Sequence, residues 1–345
     1  MSAQVAAILL QDGIATGAIY ALLAVALVLI FLVTRIIFIP QGDLVAFAAL
    51  TFGSLQDGRF PGVIWLLAVL LSVALIWDVA NAVVLPGSVR WRDSAIFYIA
   101  PTVLTCVLLW LCHRYRANDI VSALVSVVAV VPVSTLSYRL FYQAISGAST
   151  LVLFIASVAV HVVVVGSALF VFGADGNRAA PIVQGQLTFG DVIVSGQSIL
   201  IVLAALLAGA VLYLFFTGTF YGKALQATAE NSLGARLHAI RVETSSQISF
   251  LMAGLLAGVA GVLIAPTAVV YYDTGFLIGL KGFVAAIIGA LASFPLALFG
   301  AFAVGLIEIF SSFYASLLKE IIVFSMLIPV LFWRSYLAHS DTERD

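Results

Sequence analysis

The chain has 345 residues, of which 63% are hydrophobic and 9% charged, whereas a soluble domain carries about 25% charged residues to cover its surface. A net charge of −1 offers no basic surface for a nucleic acid. Cys106 and Cys112 lie in one apolar run with no metal-site companions, which excludes a disulfide framework and a cysteine metal centre and leaves them as hydrophobes.

Apolar runs of about 18 residues or more recur along the chain, the length a helix needs to cross a bilayer core. Backbone groups in lipid must pair internally, and the runs lack the short alternation of a membrane barrel, so helices are expected. About ten crossings are expected, near residues 14–34, 39–55, 63–86, 95–112, 120–138, 150–172, 199–217, 247–270, 281–313 and 315–333. The fold class is therefore an all-α membrane protein, a polytopic transmembrane helix bundle, here read as one domain over 1–345 with one broken or re-entrant helix.

The first run carries Asp12 and no Lys or Arg ahead of it. A cleaved signal peptide wants a basic n-region, so this span is expected to be retained. Gly13 and Gly17 make a G-x-x-x-G at its start, and Gly254, Gly258 and Gly261 form a small-residue face with Ala253 and Ala257. Such faces let helix backbones approach closely in lipid. Gln41 and Asp43 open the second span beside Pro40 and Gly42; they either line a pathway or cap that helix at an interface. Asp78 and Asn81 are intramembrane polar residues without an evident role, and His161 in the sixth span reads as a hydrogen-bonded packing residue rather than a proton relay. The loop 173–198, rich in Gly, Asn, Gln and Pro, reads as an outward linker or as part of a docking face. The run 281–313 is interrupted at Ser293-Phe294-Pro295, where proline breaks a helix. Lys281 opens that run and is expected to anchor at the interface, its ammonium reaching the membrane surface. Glu308 lies deep in the apolar run, where a charge is expensive; it either lines or gates a pathway, or locks helices together through buried hydrogen bonds.

Loop basicity sets the expected orientation. The loop 218–246 carries Lys223, Arg236 and Arg241 and is placed in the cytoplasm. Arg35, Arg90, Arg92 and Arg139 then share its side, while Arg59, Arg114, Arg116, Arg178 and the N-terminus lie opposite. A double pass of the broken segment puts Arg334 and Arg344 inside. Within the loop, the residues after Gly222 are good helix formers. Asn231 or Ser232 is expected to cap a second short helix over 233–240. A compact helical element joined to two spans suits the transfer of motion from a soluble motor.

At this point the pattern resembles a known family. Tyr221-Gly222-Lys223-Ala224, Ala227, Ala229-Glu230-Asn231 and Ala235, Leu237, Ile240 resemble the ATPase-coupling loop of branched-chain amino acid ABC transporter permeases, the membrane subunit of high-affinity hydrophobic amino acid uptake systems. Residues 249–263, Gly279 to Phe283, Ser293-Phe294-Pro295, Gly305 to Glu308, Tyr314-Ala315-Ser316, Gly13 to Leu22, Phe38 to Asp43, and Arg139 with Tyr142 are similar to the family in the same order. Residues 60–118 match nothing in that pattern and read as an extra pair of spans.

The resemblance implies a permease subunit of an ATP-driven importer that works by alternating access. The implied cargo is branched-chain or other hydrophobic amino acids, or related small amides or acids. Implied partners are cytoplasmic ATP-binding subunits, a second permease subunit, an external substrate-binding protein and membrane lipid, all at the bacterial cytoplasmic (inner) membrane. It assigns coupling to Gly222, Lys223, Ala227, Ala229, Glu230, Asn231 and Gly234, and offers Gln41, Asp43 and Glu308 as pathway residues. The chain has no G-x-x-x-x-G-K-[ST], H-E-x-x-H or G-x-S-x-G motif, so it is expected to hold no metal or cofactor, to leave ATP to its partners and not to be an enzyme. The rival readings are an ion-gradient-driven secondary transporter using Glu308, an intramembrane enzyme using His161 and Ser167, and a membrane scaffold.

Overall fold

The structure, a computed structural model, describes residues 3–84, 90–189 and 192–332; Arg334 and Arg344 lie outside them. The apolar runs fold as helices, in the order α1 (Ala3–Thr34), α2 (Gln41–Gln56), α3 (Val63–Val84), α4 (Trp91–Ser94) and, after a π turn at Ala95–Ile99, α5 (Ala100–Tyr115). Next come α6 (Asp119–Ala129), α7 (Val131–Ser137), a π turn at Tyr138–Tyr142 and α8 (Thr150–Phe172). A hairpin of β1 (Gln186–Phe189) and β2 (Val192–Ser195) leads into α9 (Gly196–Gly218). Then follow α10 (Phe220–Glu230), α11 (Ser232–Leu237), α12 (Val242–Ile264), α13 (Thr274–Ile288), α14 (Phe294–Tyr314) and α15 (Lys319–Ser325).

Among the described residues, 8 helical segments are long and apolar enough to cross a membrane. Of the remaining expected crossings, 39–55 is α2, with 16 residues, and the short helix expected before the break is α13, with 15, about 24 and 22 Å at 1.5 Å per residue. The last run is interrupted by a turn at Met326. The long run breaks where expected: α13 and α14 meet in the turn 289–293, where Ser293 caps α14 by accepting the Leu296 N–H. Its start differs, because the chain leaves α12 at Ile264 and α13 begins at Thr274, not 281. Val270 is held between them by a bridge to Asn177.

The bundle is built around α1, which packs on α9, α12, α13 and α14. Apolar faces gain little by leaving lipid for one another, so close backbone approach and hydrogen bonds must hold the helices. Glycines supply the approach. A Cβ on Gly17 would stand 2.8 Å from the Phe302 Cα on α14, and one on Gly13 2.7 Å from Leu306 Cδ2. A Cβ on Gly254 or Gly258 would crowd Val131 of α7 or Val127 of α6, and one on Gly261 would stand 2.6 Å from the Ala48 Cβ of α2.

The two ends of the bundle differ. At one end Arg35, Tyr138, Glu230 and Arg236 surround one cavity, and Arg90, Asp93, Arg139 and Glu243 surround another. At the opposite end Arg116 lies beside Gly58, Arg178 Nε donates to Pro266 O at 3.0 Å, and Ala180 N–H donates to Gln56 at 2.7 Å. This is the partition that loop basicity predicts for these arginines. The first is called the basic end below and the second the hairpin end.

Residues 63–84 and 91–115 fold as a pair of long helices, α3 and α4–α5, lying against α6, α7 and α8. Their outer faces present Trp65, Ile76, Val84 and Trp110, as lipid-facing helices do. Asp78 is fully buried on the inner face of α3. It accepts hydrogen bonds from Tyr98 Oη, Ser94 Oγ and the Arg139 guanidinium.

Candidate functional site

A break in α1 creates the first polar group. Thr34 Oγ1 turns back onto Ile30 O at 2.7 Å, and Arg35 adopts a left-handed φ of 60°. Residues 35–40 then run without regular structure although Ile36 and Phe38 are buried. Such backbone survives at membrane depth only when enclosed by protein. Here Phe38 is clasped edge-on by Phe250 and Tyr142, at 4.9 and 5.8 Å between ring centroids, and Ile36 N–H donates to Thr34 Oγ1.

Pro40 then starts α2 in the middle of the bundle. Gln41 Nε2 donates to the carbonyl of Ala253 at 2.9 Å, and Ala253 is the central residue of α12. Asp43, in the first turn of α2, bonds His161 Nδ1 at 2.6 Å, and His161 is the central residue of α8. The positive end of the α2 dipole favours a carboxylate there. His161 stacks on Phe276 of α13, with centroids 4.6 Å apart. Gln41 and Asp43 are fully enclosed, and Gln41 Oε1 and Asp43 Oδ1 have no protein donor. Close approach seals the site: a Cβ on Gly42 would lie 2.6 Å from the Cα of Gly279. His161 is the hydrogen-bonded residue expected, with Asp43 as a partner the sequence did not name.

Glu308 belongs to a second buried cluster. Tyr20 Oη donates to Glu308 Oε2 at 2.5 Å, and Lys281 Nζ donates to Glu308 Oε1 at 2.6 Å and to Glu320 Oε1 at 3.1 Å. These contacts tie α1, α13, α14 and α15 together. The interfacial role expected of Lys281 is therefore corrected: its side chain is 7% exposed, because α13 starts a full seven residues earlier than expected and carries Lys281 into its interior. The geometry around Glu308 is that of a helix lock, with both carboxylate oxygens engaged.

At the basic end, α10 and α11 form a compact element between α9 and α12. Thr219 Oγ1 caps α10 by accepting the Gly222 N–H at 2.9 Å, and Asn231 Oδ1 caps α11 by accepting the Gly234 N–H at 2.9 Å. The second helix ends at Leu237, three residues short of expectation, where Ala239 turns left-handed at φ 60°. Gly222 is packed so tightly that a Cβ would stand 2.7 Å from the Phe216 Cα. Ala227, Ala229 and Gly234 are half-buried, whereas Lys223, Glu230 and Asn231 are exposed. Leu225 anchors the element against Leu29 and Val33 of α1. Outward, Phe220, Leu233 and Leu237 are 77%, 68% and 81% exposed, an apolar surface on helices too short to span a membrane.

Some polar partners escaped sequence reasoning: Tyr20, Glu320 and the Asp78–Arg139 pair. Each joins residues far apart in the chain, and only the cost of burying Asp78 hinted that a cation must meet it. The β hairpin also escaped; its signal was the β-branched stretch Val192-Ile193-Val194 after Thr188.

Long apolar helices packed around α1, a second helix, α2, that starts inside the bundle, buried polar groups and a capped helical element at one end define a polytopic membrane protein of the transport class. The chain belongs to the family described as Branched-chain amino acid transport system / permease component, whose model matches residues 9–331. That family is one of transport permeases rather than enzymes. The chain is 26% identical over 203 residues to the high-affinity branched-chain amino acid transport system permease protein BraD of Pseudomonas aeruginosa, covering 57% of this chain and 66% of that one. It is 30% identical over 152 residues to LivH of Salmonella typhimurium, a permease protein of the same description, covering 44% and 49%. It is 34% identical over 154 residues to a probable branched-chain amino acid transport permease protein, LivH of Methanocaldococcus jannaschii, covering 42% and 47%. The chain thus spans about half to two thirds of the length of these relatives. No solved structure matches it.

Proposed function

We propose that this chain is the membrane-spanning permease subunit of an ATP-driven importer in the cytoplasmic membrane, carrying branched-chain or other apolar amino acids. Its partners are cytoplasmic ATP-binding subunits, a second permease subunit and an external substrate-binding protein. Family membership and the printed functions of its relatives support the transport role and the cargo class. The observation that carries the coupling to ATP is the α10–α11 element: capped at both helices, anchored on α1, continuous with α9 and α12, and apolar outward. The basic end faces the cytoplasm by the bias of Lys and Arg. Gly222, Lys223, Ala227, Ala229, Glu230, Asn231 and Gly234 form or support the coupling surface. An ATPase that grips this element drives transport only if it binds one state of the bundle better than the other.

The test is co-purification of the chain with ATP-binding subunits co-expressed from its native host, for the native chain and for Leu233→Asp with Leu237→Asp. Co-elution with the native chain and its loss in the variant, with the bundle still monodisperse, is the expected result. A second reading, a gradient-driven carrier, draws on the Asp43–His161 pair at mid-depth. It predicts a chain that purifies without ATPases and takes up substrate in response to an imposed proton gradient.

A further inference from the structure

The structure assigns the helix pair α3–α5 the role of a strut that positions the coupling element, with Asp78 and Asp93 as its positioning residues. This rests on the importer reading above.

The pair meets the rest of the chain through mostly apolar faces, and in lipid such faces have little to fix their register or angle. Two ionic contacts supply what those faces lack. Asp78, fully buried, holds Arg139, which sits in the π turn Tyr138–Tyr142. Asp93, at the start of the second helix of the pair, accepts from Arg241 at 2.7 Å. Arg241 is the N-cap residue of α12, at the end of the short link 238–241 that joins the α10–α11 element to that helix. The strut therefore grips both segments that lead away from the basic end: the π turn behind α7 and the junction of the coupling element with α12. A π turn is a strained interruption that recurs at functional positions, and here it carries Tyr138, which lines the cavity between Arg35 and the coupling element.

The joint is not packed solid. A cavity of about 290 Å³ separates the two grips, bordered by Arg90, Asp93, Tyr98, Arg139, Glu243 and Gln247. Arg139 Nε and Gln143 Oε1, both at this joint, have no hydrogen-bond partner. Unfilled space and unpaired polar atoms between one buried and one exposed ionic contact describe a pivot: the buried grip stays made while α12 and the coupling element tilt against the strut. Asp78 is the one buried charge of the pair among the described residues, so it is the fixed foot; Asp93, half-exposed, is the movable one.

The experiment exchanges the charges of the outer grip. Asp93→Arg, Arg241→Asp and the combined exchange are each reconstituted with the ATPase and binding-protein partners, and ATP hydrolysis is measured alongside uptake. Each single change is expected to raise ATP consumed per substrate carried several-fold, with basal hydrolysis and thermal stability retained. The exchange is expected to restore the native ratio. Hydrogen exchange on the purified chain gives a readout independent of transport: amides of 220–240 exchange faster in each single variant and return to native protection in the double. Native ATP-to-substrate ratios and native protection in Asp93→Arg overturn the strut. If the native assembly shows no ATP-driven uptake, the importer reading fails, and hydrogen exchange alone decides the strut.

Discussion

Lys281→Met removes the cation that bridges Glu308 and Glu320 in the cluster that joins four helices, leaving Lys319 beside Glu320 alone at 3.9 Å, and its consequence follows from the geometry. In the native chain the ammonium lies 2.6 Å from Glu308 and 3.1 Å from Glu320, and the Lys281 and Glu308 side chains are 7% and 12% exposed. Solvent therefore screens the pair little. Methionine fills a similar volume but leaves Glu308 facing Glu320 with a tyrosine hydroxyl as its remaining donor. Breaking a buried pair from one side costs about 3–5 kcal/mol. Glu308→Gln is milder, because Lys281 keeps Glu320 and the amide oxygen still accepts one bond; losing one charged hydrogen bond costs about 1.5–3 kcal/mol. Combining the two changes removes the unpaired charge and should recover part of the loss, so the double variant is more stable than Lys281→Met alone. Thermal unfolding in detergent, followed by tryptophan fluorescence and by monodispersity, measures the series. A Lys281→Met chain as stable as the native one, or a double variant no more stable than Lys281→Met, refutes the lock. Native stability in Glu308→Gln with uptake abolished restores the pathway reading of Glu308.

Gly42→Ala should collapse the yield of monodisperse protein, since its Cβ has backbone of α13 within 2.6 Å and overpacking costs about 1–3 kcal/mol or more; Gly209→Ala, with nothing within 4 Å, should match the native yield. Asn231→Ala removes the cap of α11 and should destabilise that helix by about 0.5–2 kcal/mol, seen as faster proteolysis confined to 231–240. Ala290→Gly should raise the unfolding temperature, because Ala290 holds φ 58° and a left-handed residue with a Cβ costs about 1–2 kcal/mol; an unchanged or lower temperature argues that the turn is set by its packing instead.

The sequence made the helical class plain, because 18-residue windows of apolar side chains admit no other structure in lipid. It also sorted the arginines correctly, since Arg35 and Arg236 reach one end and Arg116 and Arg178 the other. Local chemistry was equally readable at Asn231, where a cap between two helix-forming stretches needs no knowledge of the rest of the chain. Legibility ended where partners are distant. Hydropathy assigns a lone lysine to an interface, and nothing near Lys281 in sequence reveals Glu308, 27 residues on. Arg139 and Asp78 are separated by 61 residues. The start of α13 was misplaced for a related reason: residues 265–273 are apolar enough to prolong α12, and it takes contacts with the distant segment 177–179, at Ala265, Pro266 and Val270, to show that they form a loop.

The late partners of α2 bear on how the chain is made. Gln41 and Asp43 leave the ribosome long before the groups that satisfy them: His161 follows Asp43 by 118 residues and Ala253 follows Gln41 by 212, and Gly275 and Gly279 come later still. Until then this segment presents an amide, a carboxylate and a glycine notch to lipid, and at 16 residues it is too short to hold a span alone. It must therefore wait, at the translocon or at the membrane surface, and be drawn into place when the C-terminal half arrives. Chains that stop before α12 would contain every atom of α2 and still have no place for it.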